Sequence, residues 1–363
     1  MPDMSLSNLS SQRTSRRNIL RLGLMSVAAI PAAPLLSACG GSSSATDEVV
    51  YVGYGGSPQA ATQKFVLDPF AKDAGVTIKA TTGASDIAKF RAMVEAGKTT
   101  WDTVEVTTPV FSQLVKDGLI REMDFAVVPK DGYENSALVN NYAVPQYAYA
   151  HCVFWNTKKI PDGLNSWADV WNVKDFPGKR GFQRNAYYLF EAAAMADGVA
   201  PEDLYPMNID RVLDKIAEIK EHIVFQDLNT IQNLVAQGEV VTGDLNLSRV
   251  QTLISDGVPL KYSWNQNIVD AVWWVMPKGS PNPKDTAKLI AYTVEPDVQL
   301  ALLNETGFTP SVSSALEQLS AEERKDLPGT KETLPSAATL SLDYYAEYGQ
   351  TAQRRLDEWL LKA

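Results

Sequence analysis

Cysteine and histidine are nearly missing from this chain: two of each in 363 residues, Cys39, Cys152, His151 and His222. A lone thiol in the body cannot form an internal disulfide, so the fold must rest on its core. Two histidines and one thiol cannot close a zinc site without carboxylates, and no metal is expected. Basic charge is also short, with 33 Lys+Arg against 43 Asp+Glu and a formal net charge of −10. The first 38 residues carry four arginines and one aspartate, which leaves the remaining 325 near −13. Such a body lacks the cationic surface that replaces phosphate counterions, which argues against nucleic acid as a partner. The same balance favours solubility and weakly favours a cationic ligand. Beyond residue 36 there is no long apolar run, so nothing there is expected to span a bilayer. Nucleophile-elbow glycines, a phosphate loop and spaced metal ligands are absent too, so no catalytic constellation and no cofactor are expected.

What is present begins at the N-terminus. Ser15-Arg16-Arg17-Asn18-Ile19-Leu20-Arg21 sets an arginine pair before an apolar run that ends in Leu36-Ser37-Ala38-Cys39-Gly40. A positive start, a short apolar stretch and small residues at its end are the parts of a secretory signal over residues 1–38. The pair resembles a twin-arginine export signal, with Ile19 where Phe is commoner. The end resembles a lipobox, which implies lipidation of Cys39. An ordinary cleaved signal with an incidental Cys39 is the alternative. Residues 39–47, with Gly40-Gly41-Ser42-Ser43-Ser44, read as a flexible tether.

The body is long enough for two lobes with cores of their own. Glu48-Val49-Val50-Tyr51-Val52 reads as a buried strand and stops at the turn Gly53-Tyr54-Gly55-Gly56-Ser57-Pro58. A helical period follows over 59–74, then a strand at 76–80, a helix capped by Ser85 and closed by Gly97, and a strand at 101–106. Residues 142–156 are extended and aromatic, as a passage between lobes would be. A second series follows, with a helix start at Ser166-Trp167-Ala168-Asp169, helices at 187–196, 209–221 and 231–237, and strands at 223–225 and 239–243. Residues 269–276 read as a strand returning to the first lobe, 283–293 and 343–361 as helices, and 307–310 as a loop. Alternating strands and helices with glycine stops predict an α/β fold.

Nine short motifs follow one another: Tyr54-Gly55-Gly56; Asp68-Pro69-Phe70 with Gly75-Val76; Trp101-Asp102; Ser166-Trp167-Ala168-Asp169; Phe176-Pro177-Gly178-Lys179-Arg180; Ala196-Asp197-Gly198-Val199; Gly238-Glu239-Val240; Val275-Met276-Pro277-Lys278-Gly279; Gly307-Phe308-Thr309-Pro310. In this order they resemble the periplasmic substrate-binding proteins of ABC importers, specifically the spermidine/putrescine-binding group. The resemblance implies a two-lobed α/β fold of the type II periplasmic-binding-protein kind, with a ligand cleft between the lobes and three crossings. Lobe 1 would hold residues 48–152 and 270–313, and lobe 2 residues 153–269 and 314–363. It also implies a monomer in the periplasm that hands a small amine to a membrane permease and ATPase, anchored here through Cys39.

Open α/β sheets bind ligands at loops after strand C-termini. That rule selects Tyr54, Gly56, Ser57, Thr107, Thr108, Tyr147, His151, Arg184, Asn185, Tyr188, Asp244, Asn246, Asp270 and Trp273. Aromatic faces and carboxylates are the physical means of desolvating a cation. The resemblance implies rings around an alkyl chain and a carboxylate at each ammonium, and this chain departs from it. Asn185 and Tyr188 stand where paired acids are expected, Leu245 at a ring-stacking tryptophan and Val272 at an ammonium-binding aspartate. Tyr54 keeps the first aromatic and Ser57 replaces the second. Asp270 shares the strand face of Val272 and can take one ammonium. Arg184 or Arg249 can take a carboxylate. A small cationic or zwitterionic amine, polyamine-type or amino-acid-like, is therefore the expected ligand.

Plainer readings stand beside these. Arg184 can be a solvated loop charge, Arg249 a structural ion pair, His151 a satisfied crossing residue and Asp244 a helix cap. Of Trp273 and Trp274 at most one faces the cleft. A thiol-dependent enzyme on the same fold, thiaminase-like with Cys152 as nucleophile, is a second functional reading. It needs a neighbour that lowers the thiol pKa, and His151, adjacent in a strand, points the other way. A sensory binding protein is a third.

Overall fold

The computed structural model describes residues 48–84 and 86–362. The export signal, Cys39, the tether and the cap expected at Ser85 lie outside the described residues. Within them the helix Ile87–Glu95 is capped by Asp86, whose side chain accepts from Lys89 N at 3.0 Å.

Among the described residues ten strands are present: β1 (Glu48–Gly53), β2 (Thr77–Thr82), β3 (Thr103–Thr107), β4 (Pro145–Asn156), β5 (Lys179–Phe182), β6 (Ile223–Phe225), β7 (Val240–Asn246), β8 (Leu260–Val275), β9 (Thr309–Pro310) and β10 (Ala338–Thr339). They join in one sheet, ordered β2-β1-β3-β8-β4-β7-β5-β6, with β9 on β4 and β10 on β8. β1 pairs in parallel with β2 and β3, and β5 with β6 and β7, as strand–helix–strand units require. The long strands β4 and β8 run antiparallel to each other and carry the sheet from one lobe to the other. β8 pairs β3 at one end, Val104 opposite Val275, and the far end of β4 at the other, Asn156 opposite Leu260.

Between those ends the register jumps. His151 faces Ile268 while Val153 faces Ser263, so residues 264–267 bulge from the ladder, and Gln266 takes φ +58°. β8 thus begins nine residues before the strand expected at 269–276. The added stretch, Leu260-Lys261-Tyr262-Ser263-Trp264-Asn265, is half polar, and its pairing with β4 makes it a strand.

The core divides at the crossing. One cluster joins Tyr51, Phe90, Trp101 and Phe111 to Trp273, Trp274 and Met276. Another joins Trp167, Phe182, Phe190 and Ile216 to Tyr345 and Leu356 of the C-terminal helix Leu342–Leu361. A third lies on the other face of β7 and holds Cys152, Phe154, Leu245 and Val250. The C-terminal helix touches both lobes, packing on helix Thr108–Lys116 and on helices Ala186–Ala196 and Ile209–Ala217.

Several sequence motifs do structural work. Asp102 is buried and accepts from Val50 N at 2.9 Å, Ser280 Oγ at 2.8 Å and Asn282 N at 2.7 Å, tying β3 to β1 and the turn after β8. Ser166 and Asp169 form a capping box. Arg180 is buried and donates to the carbonyls of Val170, Gly178 and Phe176 at 2.8, 2.6 and 2.5 Å. Burial pulls its pKa down to about 10.

Candidate functional site

The parallel strands of each lobe end at the crossing, and the loops that follow them carry the polar side chains. In lobe 1, β1 runs into Tyr54, which is 42% exposed, and then into Gly55 and Gly56 with φ +86° and +69°. Only glycine takes these values without strain, and the Gly55 N–H donates to Gln59 Oε1 at 2.7 Å. Gly56 and Ser57 stay exposed beside Tyr54. In lobe 2, helix Ala186–Ala196 begins irregularly. Tyr187 is extended and Tyr188 has φ +67° and ψ −47°. That is the strained γ-turn region for a residue with a side chain.

The turn aims the Tyr188 ring at Asp270 of β8. Asp270 is fully buried, and its Oδ2 accepts from Tyr149 OH at 2.8 Å and Tyr188 OH at 2.7 Å. The two hydroxyls are themselves 2.7 Å apart. Three oxygens in mutual contact hold only two hydroxyl protons if Asp270 is ionised. A neutral Asp270 supplies the third, and burial does raise its pKa, against the pull of Thr108, Tyr188 and Tyr149. An approaching ammonium group would supply protons as well and let the carboxylate ionise. No lysine or arginine pairs with Asp270 among the described residues.

Beside this triangle His151 stacks on Tyr188, centroids 3.7 Å apart and 15° between planes, and its Nδ1 donates to Asp244 of β7. Gln183 Nε2 reaches the other Asp244 oxygen at 3.5 Å. Tyr147 stacks on Phe308 at 4.5 Å, which brings the Gly307-Phe308 loop against β4. A second buried carboxylate, Glu105 of β3, lies under the Tyr54 turn and accepts from Trp274 Nε1 at 3.2 Å. Burial raises its pKa, while Tyr51, Trp274 and the Tyr54 backbone pull it down. The Tyr54 hydroxyl feels Glu105, Tyr187 and Asp270 at once, and burial among them raises its pKa. Rings from both lobes thus surround the buried acids Asp270, Glu105 and Asp244.

Tyr54, Tyr147, His151, Tyr188, Asp244 and Asp270 come together here. Thr107 ends β3, and the buried Thr108 connects Asp270 to the indole of Trp273, which donates to Thr108 Oγ1 at 3.1 Å. Trp273 is not presented to the cleft: it is buried against Phe111, stacked at 4.7 Å, and Trp274 is buried as well. Both rings lie in the lobe 1 core, Trp273 against Phe111 of helix Thr108–Lys116 and Trp274 against Tyr51 of β1. Asn185 precedes the Tyr187-Tyr188 turn without capping the helix, and Asn246 is occupied as the cap of helix Leu247–Ser255, accepting from Arg249 N at 3.2 Å. Asp244 bonds His151 rather than capping a helix. Arg184 is exposed and lines a groove with Lys220, Phe225, Asp357 and Leu360, apart from the Asp270 cluster. Arg249 donates to Asn229 Oδ1 at 2.9 Å and to Gln232, both neutral, instead of forming the ion pair considered for it.

Glu105 and the Phe308 ring went unselected in the sequence. An acid inside the apolar run Val104-Glu105-Val106 is itself a readable signal, as is Asp270 between Val269 and Ala271, because a buried charge needs a partner. Cys152 is buried in the core and burial pushes its thiol pKa up, opposite to what a nucleophile needs. Among the described residues no cluster of three His, Cys, Asp or Glu suits a metal ion, and no helix is long and apolar enough to cross a membrane.

Comparison with known proteins gives this geometry a family. Residues 66–330 match the family model described as bacterial extracellular solute-binding protein. The gamma-aminobutyric acid-binding protein of Pseudomonas aeruginosa is 27% identical over 320 residues, 86% of this chain and 91% of the relative. The spermidine/putrescine-binding periplasmic protein of Salmonella typhimurium is 21% identical over 288 residues, 76% of this chain and 81% of the relative. Among solved structures, a GABA receptor superposes with a TM-score of 0.79 at 30% identity, over 86% of this chain and 97% of its own. The chain therefore belongs to the bacterial extracellular solute-binding proteins, as a two-lobed binder that works outside the cytoplasm with an ABC importer and not as an enzyme.

Proposed function

We propose that this protein captures a small solute bearing one ammonium group and one carboxylate, of the 4-aminobutyrate class, and delivers it to its permease. One observation carries the reading: Asp270 is fully buried and held by two tyrosine hydroxyls, with no cationic partner among the described residues. A ligand ammonium completes it, while Tyr54 and Tyr187 cover its methylene chain. Arg249 takes the carboxylate. It sits in the first turn of the helix after β7, half-buried, with neutral hydrogen-bond partners and the Asp227 carboxylate acting on it from a distance. Arg184, exposed in its outer groove, drops out of that role. The relatives named for gamma-aminobutyric acid, at 27% and 30% identity, support a zwitterion over the longer polyamines of the 21% relative. So does the loss of acids at Asn185, Tyr188 and Val272.

Titration calorimetry with 4-aminobutyrate, putrescine and spermidine tests this. We expect 4-aminobutyrate to bind and Asp270→Asn to weaken it roughly ten- to a hundredfold, since a charge-assisted hydrogen bond is worth about 1.5–3 kcal/mol. Submicromolar spermidine binding that survives Asp270→Asn would overturn the reading.

Export by the twin-arginine route, lipidation at Cys39 and action as a tethered monomer are part of the same proposal. Their support is the Arg16-Arg17 pair and the Leu36-Ser37-Ala38-Cys39 box. Intact mass of the mature protein is expected to show a lipid-modified N-terminal Cys39. A freely soluble product trimmed past Cys39 would refute the anchor.

A further inference from the structure

One ring nitrogen in the cleft is left without a partner. His151 of β4 is buried, its side chain 3% exposed, and its Nδ1 donates to Asp244. Nε2 has no hydrogen-bond partner among the described residues, yet it is not one of the sealed polar atoms that lack one. It therefore opens on the cleft. The strand fixes which way the ring faces. Ala148 and Ala150 turn to the opposite face of β4, where Val269, Leu334 and Ala337 pack on them. Tyr149 stands opposite Asp270 and His151 opposite Ile268, so the imidazole shares the face of Asp270. Tyr188 stacks on the plane of the ring, Asp244 holds Nδ1, and Gln183 reaches the second Asp244 oxygen at 3.5 Å.

We propose that His151 binds the ligand carboxylate: protonated on both ring nitrogens, with Asp244 as counter-charge on Nδ1, it presents Nε2–H to the end of the ligand opposite Asp270. The claim rests on the reading of the ligand as a zwitterion of the 4-aminobutyrate class. Along β4, His151 is two residues from Tyr149, the partner of Asp270. At about 3.3 Å per residue that is roughly 7 Å, the reach of a four-carbon chain with its end groups. Across the sheet His151 faces Asn246, the cap of helix Leu247–Ser255, so its ring stands level with the turn that bears Arg249. Both contacts to Asp244 come from N–H donors, so this acid is an acceptor on each oxygen and supplies the negative partner that an imidazolium needs. The cleft is otherwise rich in acids, and a carboxylate entering beside Asp270, Glu105 and Asp244 needs a charged donor in addition to Arg249.

This arrangement discriminates between ligands of one length. Putrescine has the same four carbons but brings a second ammonium to Nε2–H, where like charge meets like. A carboxylate at that end is attracted instead. Asp244 acts through the imidazole and is a positioning residue. Asp244→Asn keeps its shape and removes the counter-charge, so His151 should then hold one proton rather than two.

The chain holds only two histidines, so nitrogen-15 labelling at histidine gives two imidazoles to read, and His222→Gln assigns the signals of His151. In the 4-aminobutyrate complex we expect both His151 nitrogens to be protonated and the Nε2 signal to move on binding. In Asp244→Asn one of those protons should be lost, a change that altered packing alone would not produce. Calorimetry compares 4-aminobutyrate with 4-aminobutanamide, which is neutral at the carboxyl end. His151→Gln should weaken the acid roughly ten- to a hundredfold and the amide by less than about threefold. Asp270→Asn acts on the ammonium and should weaken both probes alike, which reads the two residues apart. The wild-type spectra decide the matter even if His151→Gln fails to fold. An Nε2 without a proton in the complex, an Nε2 signal unmoved by ligand, or a His151→Gln loss equal for acid and amide would each overturn the proposal. The first would make His151 an acceptor for the ammonium. If 4-aminobutyrate fails to bind the wild type, the proposed ligand falls, and butyrate, a carboxylate without the ammonium, decides the role of His151. Millimolar butyrate should move the Nε2 signal, and an unmoved signal overturns the role.

Discussion

At the scale of single residues, this protein keeps carboxyl groups in its interior where apolar side chains would be more stable. Asp270, Glu105 and Glu191 are each buried among tyrosine and tryptophan donors, and desolvation raises the pKa of all three. A group raised in the folded state contributes stability that is fully present below its unfolded pKa and is lost as pH rises through the folded one. Glu191, lifted from 4.5 to about 7, holds a proton in the folded chain that the unfolded chain has already released. Stability should therefore fall by up to about 3 kcal/mol between pH 4.5 and pH 7 on its account. Glu191→Gln removes that term. In urea titrations its stability relative to the wild type is expected to increase by that order across this window. An unchanged difference from pH 4.5 to 8 would show that Glu191 is charged in the fold throughout.

At the scale of elements, the second lobe depends on how closely its strands approach. Gly243 of β7 has φ +143°, and a Cβ there would stand 2.1 Å from the Gly181 carbonyl oxygen of β5. The contact is backbone on backbone, so no rotamer change can relieve it. Gly243→Ala is expected to cost about 3–5 kcal/mol in denaturant midpoint analysis, from overpacking plus the unfavourable φ. The affinity for ligand should fall as well, since Asp244 is the next residue. A variant with wild-type stability would mean that β5 and β7 can separate freely. The motif Gly238-Glu239-Val240 was visible in the sequence, whereas the glycine that matters most, Gly243, was visible only as a strand end. Close approach of two backbones leaves no mark in hydrophobic periodicity.

At the scale of the whole molecule, two lobes are linked mainly by β4 and β8, and the ladder between these strands breaks at residues 264–267. A break in register beside the site is a place where the crossing can bend without losing paired hydrogen bonds elsewhere. Trp167 steadies it, its indole donating to the Gln266 carbonyl at 2.8 Å and its backbone N–H to Gln266 Oε1 at 3.0 Å. Small-angle scattering is expected to give a smaller radius of gyration with saturating ligand than without. Equal radii in both states, with binding confirmed by calorimetry, would place the ligand in a rigid site and leave the break without a role in closure.

Sequence alone determined the alternation of strand and helix and singled out Asp270 in the apolar run of β8. These are one-dimensional properties: period, composition and the cost of burying a charge can be read along a single segment. Tertiary structure alone decided who meets whom. Asp270 takes its hydroxyls from Tyr149, 121 positions away, and from Tyr188, 82 positions away. Those pairings follow from strand register and from one strained turn. The same long-range packing turned Trp273 into core, left Arg184 on an outer groove and extended β8 back to Leu260. Each outcome depends on surfaces supplied by other segments, and no periodicity within a segment records them.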